Sequence, residues 1–407
     1  MGRWAGLGLA QAVLGAAADP GLATFFEALS SDEQIAKPAL QKIAKVWQPC
    51  FTIMFVEMLR VSPGPSRQRL LRFLVQETKQ DFSQDPAKWS ESVWRLPYDP
   101  YEHYAQFKGI LYSIVDPRMR NFFPPHVAAR IRLDEVEWGG VQVNGIPPLV
   151  RPKTISAADA SYLDASDRVF GIEVNGEARA YPQRILAWHE MALDRLGGLD
   201  LTVVYCTLCG TVIPYRSRGY IFGTSGLLYE SSKLMFDAGT ASLWSTLQGE
   251  PVIGRLANSG VTLEFQPVVT TTWGEWRAMY PHTSVLSLHT GFNRDYGEGV
   301  AYHDYFATEQ LMFQVSRTDS RLRNKDEILA IRLPGKRPLA FSAEYLRQHP
   351  KLSYTHQGVR LDILTSPHGA NRVYRGGHAG EESARVPAYR AFWFGWYAQF
   401  PDTVLVK

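Results

Sequence analysis

Residues 167–190 read DRVFGIEVNGEARAYPQRILAWHE and residues 326–349 read DEILAIRLPGKRPLAFSAEYLRQH. With one residue inserted the two stretches align, and the chain after each keeps the correspondence. LDLTVVYCTLCG at 199–210 matches VRLDILTSPHG at 359–369. TTWGEWRAMYPHTSVL at 271–286 matches AFWFGWYAQFPDTVLV at 391–406 without a gap, pairing Trp273 with Trp393, Trp276 with Trp396, Pro281 with Pro401 and Thr283 with Thr403. Each stretch reads as a hairpin, a short helix and further strands; Asn175-Gly176 carries the hairpin signal of the first. The region is therefore expected to be α+β: an internally duplicated mixed α/β unit with mostly antiparallel strands. The first repeat spans 161–300. The second, 301–407, is shortened by the stretch corresponding to Gly219–Gly260.

Upstream, 136–160 (WGGVQVNGIPPLVRPKTISAADA from Trp138) is rich in Gly and Pro, with Pro147, Pro148 and Pro152 interrupting any helix, and reads as a linker with lead-in strands. Residues 19–135 place apolar residues at three-and-four spacing, as in FFEALSSDEQIAKPALQKIAKVWQPCFTIMFVEMLR, which predicts an all-helical, HEAT-like domain without a fixed-period repeat. Cys50 is expected to be a small buried residue inside one of these apolar helices. Trp4 to Ala18 is apolar apart from Gln11 and shorter than the ~20 residues a membrane-spanning helix needs. With Arg3 before it and Ala16-Ala17-Ala18 at its end, residues 1–18 fit a signal peptide, the alternative being an Ala-rich first helix. An extracytoplasmic, periplasmic or secreted location is expected, with the cytoplasm open and no transmembrane span in the mature chain.

Lys and Arg number 43 against 40 Asp and Glu, a formal net charge of +3, and no basic run interrupts the even distribution. Nucleic acid is thus not an expected partner, since neutralising phosphates takes a clustered basic excess. Three cysteines are too few for a disulfide scaffold, but Cys206 and Cys209 lie three positions apart. The second repeat has Thr365-Ser366-Pro367-His368-Gly369 at the equivalent place, so any chemistry of the pair belongs to the first repeat.

A Cys-x-x-Cys after a strand supports three readings. As a metal knuckle, Cys206 and Cys209 supply two thiolates to zinc or copper, and His189 is the leading third ligand, with His368 and His289 behind it. As a dithiol, the pair cycles with its disulfide, which makes an oxidoreductase. As structure alone, the two are small buried residues in a turn. Glu190 or Asp237 is the expected second-shell partner or proton carrier. His189-Glu190 does not continue to HExxH, because position 193 is Leu; G-x-S-x-G, Walker and dinucleotide glycine signatures are also missing. The rival function is a non-catalytic binding or scaffold module, in which Trp393, Phe394, Trp396 and Tyr397 engage a protein or glycan partner, although their match to Trp273 and Trp276 favours core; for the protein as a whole the expected partner is an unidentified small molecule or protein.

The strings YCTLCG, SGLLYESSKLMFD, SLWSTLQGE and TTWGEWRAMYPHTSVLS, in order, closely resemble the bacterial family catalogued as domain of unknown function 3179, from about Gly145 to the last residues. The resemblance brings no established reaction. It marks Tyr205, Cys206, Cys209, Gly210, Ser225, Gly226, Tyr229, Asp237, Ser242, Trp244, His189 and Glu190 as the cluster of motif positions, and it implies export. The chain departs from the pattern at Thr207, where proline is common, and at Glu230, where asparagine is usual.

Overall fold

A computed structural model describes residues 19–376 and 384–407, and these divide into two compact units: 19–93 with 99–107, and 94–98 with 108–407. The expected signal peptide at 1–18 lies outside the described residues. The second unit thus takes in residues 108–135, which the sequence assigned to the helical domain.

Helices Leu22–Ala28, Glu33–Lys45, Phe51–Val61 and Gly64–Thr78 make up most of the first unit. Asp32 starts the second of them by accepting from the Gln34 N–H at 2.8 Å, meeting one of the donors that a helix start leaves unpaired. The three-and-four spacing of the sequence becomes an aromatic core, with Phe25 edge-on to Phe51 at 5.1 Å and Phe55 stacked on Phe73 at 4.9 Å. Cys50 is not inside a helix. It is half-buried at the start of Phe51–Val61.

The second unit opens with short 3₁₀ turns and then builds five separate sheets. One carries the strands Val269–Thr272, Arg168–Val174, Glu177–Pro182, Ser284–Leu286 and Thr154–Ser156 in that spatial order. Another carries Ala388–Phe392, Glu327–Ile331, Leu339–Ser342 and Val404–Val406. In both, the first three strands pair antiparallel and the fourth joins the third in parallel. Each third strand runs into a short helix, Gln183–His189 or Ala343–Gln348, and then into an antiparallel meander: Met191–Leu196, Leu199–Cys206, Thr211–Arg216 in one case, Lys351–His356, Val359–Thr365, Asn371–Arg375 in the other.

Individual hydrogen bonds recur with the order. Trp276 Nε1 donates to Thr283 Oγ1 and Trp396 Nε1 to Thr403 Oγ1, both at 2.9 Å. The Trp273 N–H donates to the Asp167 carbonyl and the Trp393 N–H to that of Asp326. Asn175 and Gly176 both take positive φ, 51° and 83°, the geometry of a two-residue hairpin whose backbone twist suits the flanking strands.

The fifth sheet consists of Val136–Trp138, Phe222–Tyr229, Ser232–Asp237, Leu243–Ser245 and Glu250–Ile253. All but the first of these strands lie in the stretch that the shorter half lacks. The α+β class expected from sequence holds, while the sheets are not partitioned between two separate units. Five separate sheets form, the count of a five-bladed propeller, and one core cluster mixes the halves: Phe170, Ile172 and Val203 pack with Ile328, Ala330, Trp393 and Trp396. Neither half encloses its apolar surface alone. Among the described residues no helix is long and apolar enough to cross a membrane.

Candidate functional site

Cys206 ends the strand Leu199–Cys206, and residues 207–210 turn the chain into Thr211–Arg216, with the Gly210 N–H donating to the Thr207 carbonyl at 3.2 Å. Gly210 has a φ of 59°, and a Cβ on it would lie 2.8 Å from the Phe392 ring. Left-handed backbone and close packing both demand glycine here. Both thiols are free and buried, Cys206 at 2% and Cys209 at 0% exposure.

Three parts of the unit close over them. The Ser232–Asp237 strand brings Lys233, whose Nζ donates to the Glu190 carbonyl at 2.5 Å and the Tyr205 carbonyl at 3.0 Å and stands 3.5 Å from Glu190 Oε2. The segment linking the two repeated sets of sheets packs Tyr302, Tyr305, Phe306, Leu311, Phe313 and Val315 into the cluster that holds Cys206, Leu208 and Cys209. Tyr305 fixes this cover by donating its hydroxyl to the Leu208 carbonyl at 2.7 Å. From the C-terminal half, the Phe392 N–H donates to the Cys209 carbonyl at 2.8 Å, and Gly395 packs so closely that a Cβ there would lie 3.1 Å from Cys209 Sγ.

The two thiols differ. Burial pushes Cys206 up, but the Cys209 S–H donating to it, the Lys233 backbone N–H and the Lys233 ammonium outweigh burial and bring it down to about 7. Cys209 is pushed well above the ordinary thiol range by burial and by its neighbour; its S–H also lies 3.5 Å from the Ser231 carbonyl. Burial lowers the Lys233 ammonium from the usual lysine range, while the Glu190 carboxylate acts against that. Cys206 is thus the thiolate of the pair and Cys209 the proton holder.

Glu190 belongs to this site, whereas His189 does not. Glu190 caps the Gln183–His189 helix in the left-handed region, φ 54°, and this reversal sends the two side chains apart. The Glu190 carboxylate accepts from Tyr302 at 3.2 Å and Thr207 at 3.4 Å and faces Lys233. His189 is fully buried elsewhere. Its Nδ1 lies 2.9 Å from the Pro147 carbonyl, which can only accept, so Nδ1 carries the proton and Nε2 accepts from Tyr296 at 2.7 Å. Desolvation holds this imidazole below its ordinary pKa, hence neutral.

Both ring nitrogens of His189, expected as a zinc or copper ligand, have protein partners in this structure. His289 and His368 are exposed. Among the described residues no group of three or more His, Cys, Asp or Glu is arranged to hold a metal ion. The two cysteine sulfurs by themselves are half of a tetrahedral set.

The other motif positions serve the fold. Asp237 accepts from the Thr240 N–H, the Thr240 hydroxyl and Trp244 Nε1, fixing a turn. Ser225 donates to the Leu234 carbonyl at 2.6 Å, and Ser242 accepts from the Leu256 N–H at 3.1 Å. Trp393, Phe394 and Trp396 are at most 1% exposed, so they are core rather than the recognition surface that a binding module would need.

Sequence reasoning missed Lys233 and the cover. Lys233 lies in a strand whose residues Ser232 to Met235 are all buried, so no alternation marks it; a lone lysine in that run was the available signal. The cover has one four-residue helix, His303–Phe306, and no periodicity to read.

No curated protein and no solved structure matches this chain. A family model does: residues 143–403 match the one described as protein of unknown function (DUF3179), so the chain belongs to that family.

Proposed function

We propose that Cys206 and Cys209 form a dithiol that exchanges electrons with a disulfide substrate, making the protein a thiol–disulfide oxidoreductase. The observation that carries this is the geometry of the pair: two free, buried cysteines three residues apart in one turn, with Lys233 Nζ held on the Glu190 and Tyr205 carbonyls beside Cys206. The Cys206 thiolate attacks one sulfur of the substrate disulfide, and the other sulfur leaves as a thiolate. Cys209 then loses its proton and attacks Cys206 Sγ, expelling the second substrate thiolate. The protein ends with one disulfide and the substrate with two reduced sulfurs, so electrons balance without a further reagent. Access requires the aromatic cover over the turn to open.

The repeated strand order and repeated hydrogen bonds support reading residues 161–407 as two copies of one unit, the second a scaffold without thiols. Export, as expected from residues 1–18, would put the couple where disulfides persist.

The test is equilibration of the folded chain in buffers of reduced and oxidised glutathione, followed by mass spectrometry. A two-hydrogen loss joining Cys206 to Cys209, with a glutathione adduct trapped on Cys206 in Cys209→Ser, is the expected result. Two thiols that stay reduced across the whole range would overturn the reading.

A further inference from the structure

Residues 149–156, LVRPKTIS, add a strand to each of two sheets in the first repeated set. Leu149–Val150 runs parallel to Met191–Leu196, and the Arg151 N–H donates to the Leu193 carbonyl at 2.8 Å. The chain kinks at Arg151-Pro152, where Arg151 has a φ of 46°. Thr154–Ser156 then runs antiparallel to Ser284–Leu286, and the Ser287 N–H donates to the Lys153 carbonyl at 2.8 Å. One extended segment thus caps two sheet edges. Its Leu149, 2% exposed, joins the core cluster that holds Met191 and Leu286.

The second set presents the same two edges bare. Lys351–His356 and Val404–Val406 correspond to Met191–Leu196 and Ser284–Leu286, and among the described residues no further strand pairs with either. The Gln357-Gly358 hairpin closes on His356 opposite Val359. Alternation from that pair turns the backbone N–H and carbonyl of Ser353 outward, as the Leu196–Leu199 pair does for Leu193 at the same place in its strand. The side chains record the difference. Val285 and Leu286 are fully buried, whereas Leu405 and Val406 at the matching positions are half-buried, and so are Leu352 and Tyr354 on the other edge.

The linking segment accounts for the bare edges. Residues 149–156 precede Asp167 by 11 to 18 positions, and the same spacing before Asp326 gives 308–315, TEQLMFQV. Leu311, Phe313 and Val315 of that stretch pack with Cys206, Leu208 and Cys209 instead. The stretch in register to cap the second pair of edges is spent on the thiol turn.

We propose that these two edges bind an extended peptide of a partner protein by strand addition. Two of its residues run parallel to Lys351–His356, a kink follows, and three more run antiparallel to Val404–Val406, with apolar side chains at the places of Leu149 and Ile155. Main-chain hydrogen bonds supply affinity in this mode and alternate side chains supply specificity. The filled edges of the first set give the partner's length and pattern. No sulfur takes part, so the proposal stands apart from the dithiol reading.

The test is fluorescence anisotropy and amide hydrogen exchange of the full chain with a labelled synthetic peptide of residues 147–158, PPLVRPKTISAA. Saturable binding is expected, with slowed exchange confined to Lys351–Thr355 and Leu405–Lys407. A peptide methylated on the Arg151 nitrogen should bind at least tenfold more weakly, a comparison that needs no variant to fold. Ser353→Pro removes an outward N–H, which an edge strand tolerates, and should weaken binding to the same degree. Ser353→Ala loses the same side-chain bond to Asp362 but keeps the N–H, and should bind within twofold of wild type. No saturable binding, equal binding by Ser353→Pro or by the methylated peptide, equal binding of a scrambled peptide, or protection at Met191–Leu196 instead would each overturn the proposal. Cys206→Ser/Cys209→Ser should bind as wild type, which separates this outcome from the fate of the thiol chemistry.

Discussion

The turn at 207–210 and the turn at 366–369 occupy equivalent places in their meanders, yet only the first is sealed. Both end on a left-handed glycine, Gly210 at φ 59° and Gly369 at φ 85°. Around the second, Pro367 and His368 are exposed, and Thr365 accepts from Asn371 Nδ2 at 2.9 Å. Around the first lie Lys233 from the additional sheet, the aromatic cover from the linking segment and the Trp393–Gln399 helix. The backbone of a Cys-x-x-Cys turn thus comes with the repeated unit, while its burial and charge are added by segments that the other half lacks or lends.

The most forceful way to break the contrast is Lys233→Met. It leaves the Glu190 carboxylate buried without its cation and takes a donor from the Tyr205 carbonyl and from the Glu190 carbonyl, which keeps the Tyr205 N–H, and losing one partner of such a pair costs about 3–5 kcal/mol. Denaturant unfolding should show that loss. Ultraviolet thiolate absorbance should show Cys206 titrating well above 7, because the ammonium that favours the thiolate is gone. Retained stability together with a Cys206 pKa still near 7 would mean that Lys233 does not set the site apart.

Next come the two glycines. Alanine in left-handed backbone costs about 1–2 kcal/mol at either place. At Gly210 the new methyl also meets the Phe392 ring at 2.8 Å, adding about 1–3 kcal/mol of overpacking, whereas at Gly369 it meets the end of the Arg390 side chain at 3.0 Å, which can shift. Gly210→Ala should therefore lower the denaturation midpoint clearly more than Gly369→Ala. Equal losses would mean that backbone strain alone separates these turns from ordinary ones.

Glu190→Gln sharpens the electrostatic side. The Glu190 carboxylate raises Cys206 and pairs with Lys233, so removing its charge should carry the thiol below 7, opposite in sign to Lys233→Met. One pH unit is a tenfold change in the thiol–thiolate ratio, and absorbance at pH 6 should register a severalfold gain in thiolate. An unchanged or upward shift would place Glu190 outside the field at the sulfur.

What the sequence disclosed follows the same division. The repeated order of hairpin, helix and meander was legible because it rests on local patterns: Asn175-Gly176, the Trp-x-x-Trp helices and strand alternation. Cys206, Cys209 and Glu190 were legible as neighbours in motif strings. His189 is adjacent to Glu190 in sequence but takes its partners elsewhere, Pro147 and Tyr296, because Glu190 turns the chain in the left-handed region. Lys233 and Tyr302 come from 23 or more residues beyond the turn and pack by tertiary contact, which no local period announces.

The smallest effect concerns Thr207, the position at which the sequence resemblance implies proline. Proline is tolerated only where no backbone N–H is needed, and among the described residues the Thr207 N–H makes no backbone hydrogen bond. The side chain contributes one long bond, 3.4 Å to Glu190, whose carboxylate keeps Tyr302 and Lys233. Losing it costs a few tenths of a kcal/mol, while fixing φ in the unfolded chain returns about 0.4–1 kcal/mol. Thr207→Pro should thus leave the denaturation midpoint unchanged or slightly raised, with Cys206 still near 7. A loss above about 1 kcal/mol would show that the backbone of this turn does not accept proline and that Thr207 is a requirement of this chain.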